Sequence, residues 1–125
     1  MAKYVDGFVI VAPKAKRAEY RTMATWGKKM WMKYGALDYK ECVGDDMQPG
    51  MQGMSMRTFP KLAGARKGED VWFSFIVYKS KKHRDAVNKK VMKGMEKEMA
   101  KYKDKPMPFD MKRFSVGGFK VVVDR

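Results

Sequence analysis

The sequence predicts an α+β fold, in which four antiparallel strands form one sheet and two helices cover one of its faces. The elements follow one another as strand, helix, strand, strand, helix, strand. The most apolar strand, Val71 to Tyr78, is apolar on both faces and therefore belongs inside a covered sheet. Both helical segments carry an apolar stripe with charged residues opposite. This order is that of the ferredoxin-like split βαβ arrangement, here predicted as a single domain spanning residues 1–125.

The first strand and the first helix are expected within residues 4–34. Tyr4 to Val11 alternates between two sets of side chains as a strand does, and Asp6 is the one acid inside it. Pro13 is expected to begin the helix, because its fixed φ suits the first helical position. Gly35 is expected to end it. The apolar stripe between them, which we interpret as core, consists of Met23, Trp26, Gly27, Met30, Trp31 and Tyr34.

The remaining elements follow from alternation and from helix signals. Ala36 to Val43 predicts a second strand, with Leu37, Tyr39, Glu41 and Val43 on one face. After the third strand, Ser80 is a good N-cap for a basic amphipathic helix, in which Gly94 leaves open one long helix or two. A last strand is expected over Phe119 to Val123, after the pair Gly117-Gly118.

The net charge of +14 is concentrated in the two helical segments. Residues 14–34 hold seven Lys or Arg against one acid, and residues 79–105 hold eleven against four. Such runs usually solvate an outer helix face. They also favour a polyanion partner, so we expect weak, salt-sensitive binding of nucleic acid without sequence preference.

Composition excludes several classes of protein. The sequence holds no apolar run long enough to cross a membrane and no signal-peptide pattern, so no membrane association is expected. The single cysteine excludes an internal disulfide and fits a reducing cytoplasm. One histidine without a His/Cys cluster argues against a zinc site, and the sequence leaves the identity of any cofactor unknown.

A set of short motifs resembles the YbaA-like bacterial proteins, a family of unknown function placed in the dimeric α/β-barrel superfamily. The resemblance covers nearly the whole chain in order. Its motifs are Tyr4-Val5-Asp6-Gly7-Phe8, Gly35-Ala36-Leu37, Glu41-Cys42, Phe73-Ser74, Tyr78, Ser80-Lys81, Arg84-Asp85-Ala86, Asn88, Met107-Pro108-Phe109-Asp110, Lys112-Arg113 and Gly117-Gly118-Phe119.

The resemblance implies a homodimer in which two sheets pack face to face and close a barrel. The mixed faces of the strands, which carry Asp6 and Tyr78, would then meet the partner or enclose a cavity. Members of the superfamily include monooxygenases, isomerases and haem enzymes, so a small-molecule pocket with monooxygenase- or isomerase-like activity is implied. We expect Asp6, Tyr78, Asp110 and Arg113 to form that site, at the sheet end reached by the loop at residues 107–110.

Three alternatives remain open at this point. Asp6 can instead form a structural ion pair with Arg113 or Arg84. Phe73, Phe75 and Tyr78 fall on the aromatic positions of an RNA-recognition motif, which favours RNA binding. The chain can also be a structural or regulatory dimer without chemistry.

Overall fold

Among the residues that the structure describes, four strands and three helices build the fold in the predicted βαββαβ order, with one short helix added. The structure, a computed structural model, describes residues 2–48, 55–99 and 107–124. The strands are β1 (Tyr4–Pro13), β2 (Asp38–Val43), β3 (Glu69–Tyr78) and β4 (Phe114–Lys120). The helices are α1 (Arg17–Lys33), α2 (Phe59–Ala63) and α3 (Lys81–Met99). The helix after Ser80 is therefore one helix that runs through Gly94.

The strands form one antiparallel sheet in the order β2-β3-β1-β4. β1 and β3 lie at its centre and pair along their whole length, from Tyr4 opposite Tyr78 to Pro13 opposite Glu69. β4 pairs with the other edge of β1, and β2 with the other edge of β3. The ferredoxin-like topology predicted from the sequence is confirmed.

Helices α1 and α3 both pack on one face of this sheet, which we call the covered face. It holds the even-numbered side chains of β1 and β3, and Ile10, Trp72 and Ile76 are buried there against the helices. The resemblance implied that this mixed set meets a partner or encloses a cavity. Helices of the same chain cover it instead, because its polar side chains find their partners on α1 and α3. The space that it encloses lies beneath these helices.

The opposite face of the sheet, which we call the open face, is apolar. Phe73 is 46% exposed there and Phe119 is 60% exposed. Helix α2 lies over one end, where the rings of Phe59 and Phe73 are 6.4 Å apart. Among the described residues, the other ring contact on the open face is between two of its own side chains, Phe73 and Phe75, whose rings are 6.0 Å apart. The remaining apolar side chains that β1 and β3 direct to this face are Val5, Val9, Phe75 and Val77, together with Val11 and Val71, which are buried.

Several predicted boundaries are wrong. β2 begins at Asp38 rather than at Ala36, and β3 begins at Glu69 rather than at Val71. Pro13 ends β1 rather than beginning a helix, because its φ of −59° is combined with an extended ψ of 136°. A 3-10 turn over Lys14–Lys16 follows, and α1 begins at Arg17. β1 is therefore two residues longer than its apolar alternation indicated, and its last positions pair with the start of β3.

The last strand lies earlier than predicted, over Phe114–Lys120. The pair Gly117-Gly118, which was expected to precede the strand, lies inside it. Glycine allows close approach at Gly7 and Gly118: a Cβ on Gly7 would lie 3.2 Å from the ring of Phe119, and the hydroxyl of Tyr4 occupies the space beside Gly118. An aromatic ring thus covers backbone that has no side chain of its own.

A bidentate ion pair joins the starts of β3 and β4. Arg113 donates from Nη1 and Nη2 to the Glu69 carboxylate at 2.6 and 2.8 Å, and from Nη2 to the carbonyl oxygen of Gly64 at 2.7 Å. The hydrogen bonds from Arg113 lower the pKa of Glu69 to about 2. The ionised carboxylate therefore stabilises the folded chain at neutral pH.

We expect Arg113→Gln to reduce the free energy of unfolding at pH 7 and to lose that effect in acid. Glu69 has a lower pKa in the folded chain than the ~4.3 of an unfolded glutamate, so its contribution is complete above that value and is lost as pH falls towards 2. Urea titrations at pH 7, 4 and 2.5 measure the difference between variant and wild type. Lys112→Gln is the matched control, since it removes an exposed charge beside Arg113. If Arg113→Gln and the wild type differed in free energy of unfolding by the same amount at all three pH values, the stabilising role of the Arg113–Glu69 ion pair would be contradicted.

Candidate functional site

A cavity of about 580 Å³ lies between the covered face and the helices. Its walls are mostly apolar and aromatic, with Phe8 and Ile76 from the sheet and Trp31 and Met92 from the helices. Val116 of β4 also lines the cavity and is 61% exposed, so we place the mouth of the cavity there. An apolar cavity of this size with few polar groups is the usual form of a small-molecule site.

The carboxylate of Glu41 forms the first polar group of the cavity. Three side-chain hydroxyls donate to it: Tyr20 Oη to Oε1 at 3.0 Å, Tyr39 Oη to Oε2 at 2.7 Å, and Ser74 Oγ to Oε1. An ionised carboxylate can accept all three bonds, whereas a protonated one must donate from one oxygen. The arrangement therefore holds a negative charge in a fixed position on an otherwise apolar wall.

Strand register and helix packing bring these four side chains together. In β2, Tyr39 and Glu41 are two residues apart and point to the covered face, and Glu41 lies directly opposite Ser74 of β3. Tyr20 reaches the cluster from the first turn of α1. Gly27 of α1 leaves room for the Tyr39 hydroxyl, which lies 2.9 Å from where a Cβ would be.

Burial keeps both phenols of this cluster protonated. Loss of solvent contact raises the pKa of Tyr20 and of Tyr39 well above 10, and the negative charge of Glu41 raises both further. The two hydroxyls consequently remain hydrogen-bond donors to Glu41 across the physiological pH range.

A second polar cluster lies on the α3 side of the cavity, around Arg84. Its Nη1 donates to Asp6 Oδ1 at 2.6 Å and its Nε donates to Asp85 Oδ1 at 2.7 Å, while its guanidinium lies 4.9 Å from the centre of the Tyr4 ring. Asp6 is buried and Arg84 is nearly so. Of the two ion-pair partners considered for Asp6, the structure contains Arg84 and not Arg113.

Asn88 joins three elements beside this ion pair. Its Oδ1 accepts from Trp31 Nε1 of α1 at 3.0 Å and from Tyr78 Oη of β3 at 3.1 Å. Burial raises the pKa of Tyr78 above its usual range, and the charge of Asp6 raises it further. Tyr78 therefore acts as a donor beneath the cavity.

The structure places the four predicted site residues in two groups. Asp6 and Tyr78 lie at the α3 side of the large cavity. Arg113 is held by Glu69, whose partner in β1 is Pro13, seven residues and roughly 20 Å along the strand from Asp6. Asp110 caps the 3-10 turn that follows it, accepting from the backbone amide of Lys112 at 2.9 Å. Asp110 and Arg113 border a separate, smaller cavity of about 260 Å³.

Sequence reasoning did not select the residues around Glu41. One signal was available: Glu41 is the acid in the alternating set that also holds Leu37, Tyr39 and Val43. A carboxylate on the covered face of a strand must be paired, as Asp6 is with Arg84. Its partners Tyr20 and Ser74 come from two other elements and leave no local pattern in the sequence.

Metal ligands and membrane spans are not found in the part of the chain that the structure describes. No group of three or more His, Cys, Asp or Glu side chains is positioned there to hold a metal ion. Within the same residues, no helix has the length and apolarity needed to cross a membrane.

Two features had suggested nucleic-acid binding: the basic residues of the helices and the aromatic residues of β3. The lysines of α3, including Lys89 and Lys93, form no ion pair within residues 81–99 or with the other described segments. Phe73 and Phe75 point to the open face, whereas Tyr78 is buried beneath the helices. Nucleic-acid binding stays a prediction.

We expect the free energy of unfolding to fall as pH rises above about 10. The folded chain holds the phenolic protons of Tyr20, Tyr39 and Tyr78 more tightly than the unfolded chain, whose tyrosines have pKa values near 10. Stability is therefore complete below that value and is lost progressively above it. Urea titrations between pH 8 and 11 measure the slope, and a flat profile would contradict the prediction.

A matched pair of variants tests the same cluster at pH 7. Tyr39→Phe removes a hydroxyl that donates to a carboxylate, and should lower the free energy of unfolding by about 1–2 kcal/mol. Tyr34→Phe is the control, because the Tyr34 hydroxyl forms no hydrogen bond with the described residues, and should change it by less than about 0.5 kcal/mol.

Comparison with known proteins places the chain in a family. It matches the model of a family described as a protein of unknown function (DUF1428) over residues 3–111. It is 38% identical over 122 residues to the uncharacterized protein YbaA of Escherichia coli strain K12, covering 98% of each chain, and YbaA of Shigella flexneri matches equally. The designed protein Foldit4 superposes with a TM-score of 0.41 at 10% identity, over 98% of this chain and 99% of its own, a likeness too low to carry an argument. By the family match and the identity to YbaA, the chain belongs to the DUF1428 family.

Proposed function

We propose that this protein binds a small, largely apolar molecule in the cavity beneath α1 and α3, and that Glu41 acts on it as a general base. The observation that carries the proposal is the position of Glu41, a carboxylate held by three hydroxyls on the wall of an apolar cavity of about 580 Å³. The implied membership of the dimeric α/β-barrel superfamily, with its isomerases and monooxygenases, supports the same conclusion by analogy only.

The chemistry of Glu41 favours proton transfer. A general base must be ionised, fixed in position and partly removed from water. The hydroxyls of Tyr20, Tyr39 and Ser74 favour the ionised form of Glu41 and fix its position. The apolar walls of the cavity partly remove it from water. Of the activities implied by the resemblance, isomerase-like proton abstraction from carbon therefore fits these residues best.

The bicyclic ketone 2-tetralone is a suitable probe, because it is apolar, compact and has exchangeable protons beside its carbonyl group. Binding is measured by quenching of tryptophan fluorescence, since Trp26 and Trp31 line the cavity. Proton abstraction is measured by the rate at which deuterium from D₂O enters the probe. We expect the wild type to bind the probe and to accelerate the exchange.

Glu41→Gln should retain binding within a few-fold and slow the accelerated exchange by at least about 100-fold, the usual contribution of a general base. Asp38→Asn is the matched control, because Asp38 lies on the same strand but its side chain belongs to the open face. It should leave both quantities unchanged. Equal exchange rates for Glu41→Gln and the wild type would contradict the role of Glu41, and absence of quenching would contradict the cavity as a binding site.

We also propose that a second copy of the chain covers the open face. A four-stranded sheet with Phe73 46% exposed and Phe119 60% exposed presents a larger apolar surface than isolated exposed side chains do. Helix α2 occupies only the end near Phe59. Two such faces are alike and can pack across a two-fold axis. The family resemblance supports this mode of dimerisation.

Sedimentation equilibrium at micromolar concentration tests the dimer. The wild type should sediment with twice the mass of one chain, and Phe73→Lys should give monomers, because it replaces an exposed apolar side chain of the open face with a charge. Met32→Lys is the matched control: Met32 is exposed on α1, away from the sheet, and its replacement should leave the dimer intact. A wild-type monomer under these conditions would overturn the proposal.

A further inference from the structure

The orientation of the Asn88 amide is fixed by its neighbours. The indole N–H of Trp31 can only donate a hydrogen bond, so the atom that it meets at 3.0 Å must be the amide oxygen. The Tyr78 hydroxyl meets the same oxygen. The Nδ2 amino group consequently lies on the other branch of the amide. Its two hydrogens have no acceptor among the described residues, and Asn88 lines the cavity.

Arg84 offers a second free donor on the same side of α3. It lies four residues before Asn88, so the two side chains share a helix face. Its Nη1 and Nε are engaged with Asp6 and Asp85, but its Nη2 has no acceptor in the described part of the chain. Arg84 also lines the cavity, and its contacts with Asp6 and the Tyr4 ring hold its guanidinium in place.

The charge at this position selects the kind of group that can bind. The positive charge of Arg84 is balanced by the buried carboxylate of Asp6 and by Asp85. A ligand carboxylate would gain hydrogen bonds but would also approach Asp6 without net positive charge to compensate. A neutral oxygen acceptor gains the same hydrogen bonds without that repulsion.

We propose that Arg84 Nη2 and Asn88 Nδ2 form a subsite for the carbonyl oxygen of the ligand, which is therefore a neutral ketone, aldehyde or related carbonyl compound. This inference rests on the proposed function, because it names the class of molecule that the cavity receives. It also complements Glu41. The Cα atoms of Asp6 and Glu41 lie two strands and two residues apart, roughly 12 Å, and the side chains of Glu41, Arg84 and Asn88 all line the cavity between these strands and the helices, where the carbonyl group and the carbon next to it would bind.

A matched series of probes tests the subsite in the wild-type protein. The series is 2-tetralone, its hydrocarbon analogue tetralin, and the carboxylate 1,2,3,4-tetrahydro-2-naphthoate. We expect 2-tetralone to bind about tenfold more tightly than tetralin, the effect of one or two net hydrogen bonds, and the carboxylate to bind no better than tetralin. The infrared carbonyl stretch of bound 2-tetralone should move to lower wavenumber than in water-free apolar solvent, as a hydrogen-bonded carbonyl does.

Two variants assign the effect to these residues. Asn88→Asp keeps an oxygen for Trp31 and Tyr78 but removes the Nδ2 donors, and Arg84→Lys keeps a cation beside Asp6 but removes Nη2. Each should reduce the preference for 2-tetralone over tetralin towards parity and shift the carbonyl stretch back. Lys89→Gln changes the net charge by the same amount as Asn88→Asp at a neighbouring exposed position, and should retain the tenfold preference.

The outcomes separate this inference from the proposed function. Binding of neither 2-tetralone nor tetralin would overturn the proposed function itself. Equal binding of both probes by the wild type, with an unshifted carbonyl stretch, would overturn the carbonyl subsite and leave the cavity as a binding site. Tighter binding of the carboxylate than of 2-tetralone would overturn the assignment of a neutral acceptor. Because these comparisons use the wild type, they hold even where a variant fails to fold.

Discussion

Three carboxylates on the covered face of the sheet determine how the helices lie on it. Asp6, Glu41 and Asp70 come from three different strands, and a carboxylate removed from water must be paired. Each takes a partner from a covering helix: Arg84 of α3 for Asp6, Tyr20 of α1 for Glu41, and Arg17 of α1 for Asp70, which it binds through two bonds of 2.7 and 2.9 Å. Apolar packing alone would allow the helices to slide, whereas these directional bonds fix their positions along the strands.

The same bonds explain why a cavity persists in a small core. Helix α1 is held near β2 and β3 through Tyr20, and α3 is held through Arg84 and Asn88, so the two helices cannot close over the β4 side of the sheet. Large aromatic side chains such as Trp31 keep the layers apart between these points. The same bonds between the helices and the sheet therefore satisfy the buried polar groups and leave the cavity unfilled.

The sequence predicted the fold well because the fold depends on local patterns: alternation for Val71 to Tyr78, an N-cap at Ser80, and the order of elements. It predicted β4 poorly, since Gly117 and Gly118 have the composition of a turn and only their pairing with Gly7 and Asp6 of β1 makes them strand residues. The site was predicted in part. Asp6 stood out as an acid inside a strand, but Glu41 is recognised only when Tyr20 and Ser74 are seen beside it. Which face of the sheet the helices cover likewise depends on the bonds that its polar side chains form with α1 and α3, and these partners are distant in sequence.

The mouth of the cavity is lined by methionines, which influences the breadth of its specificity. Met92, Met95 and Met111 surround the opening near β4, and Met92 is 54% exposed. Their unbranched, polarisable side chains change rotamer at little cost and adapt to surfaces of different shape. For the proposed ligand, we therefore expect discrimination at the two rigid polar clusters, whereas its apolar part can vary. A cavity built in this way would accept a set of related molecules that share one functional group.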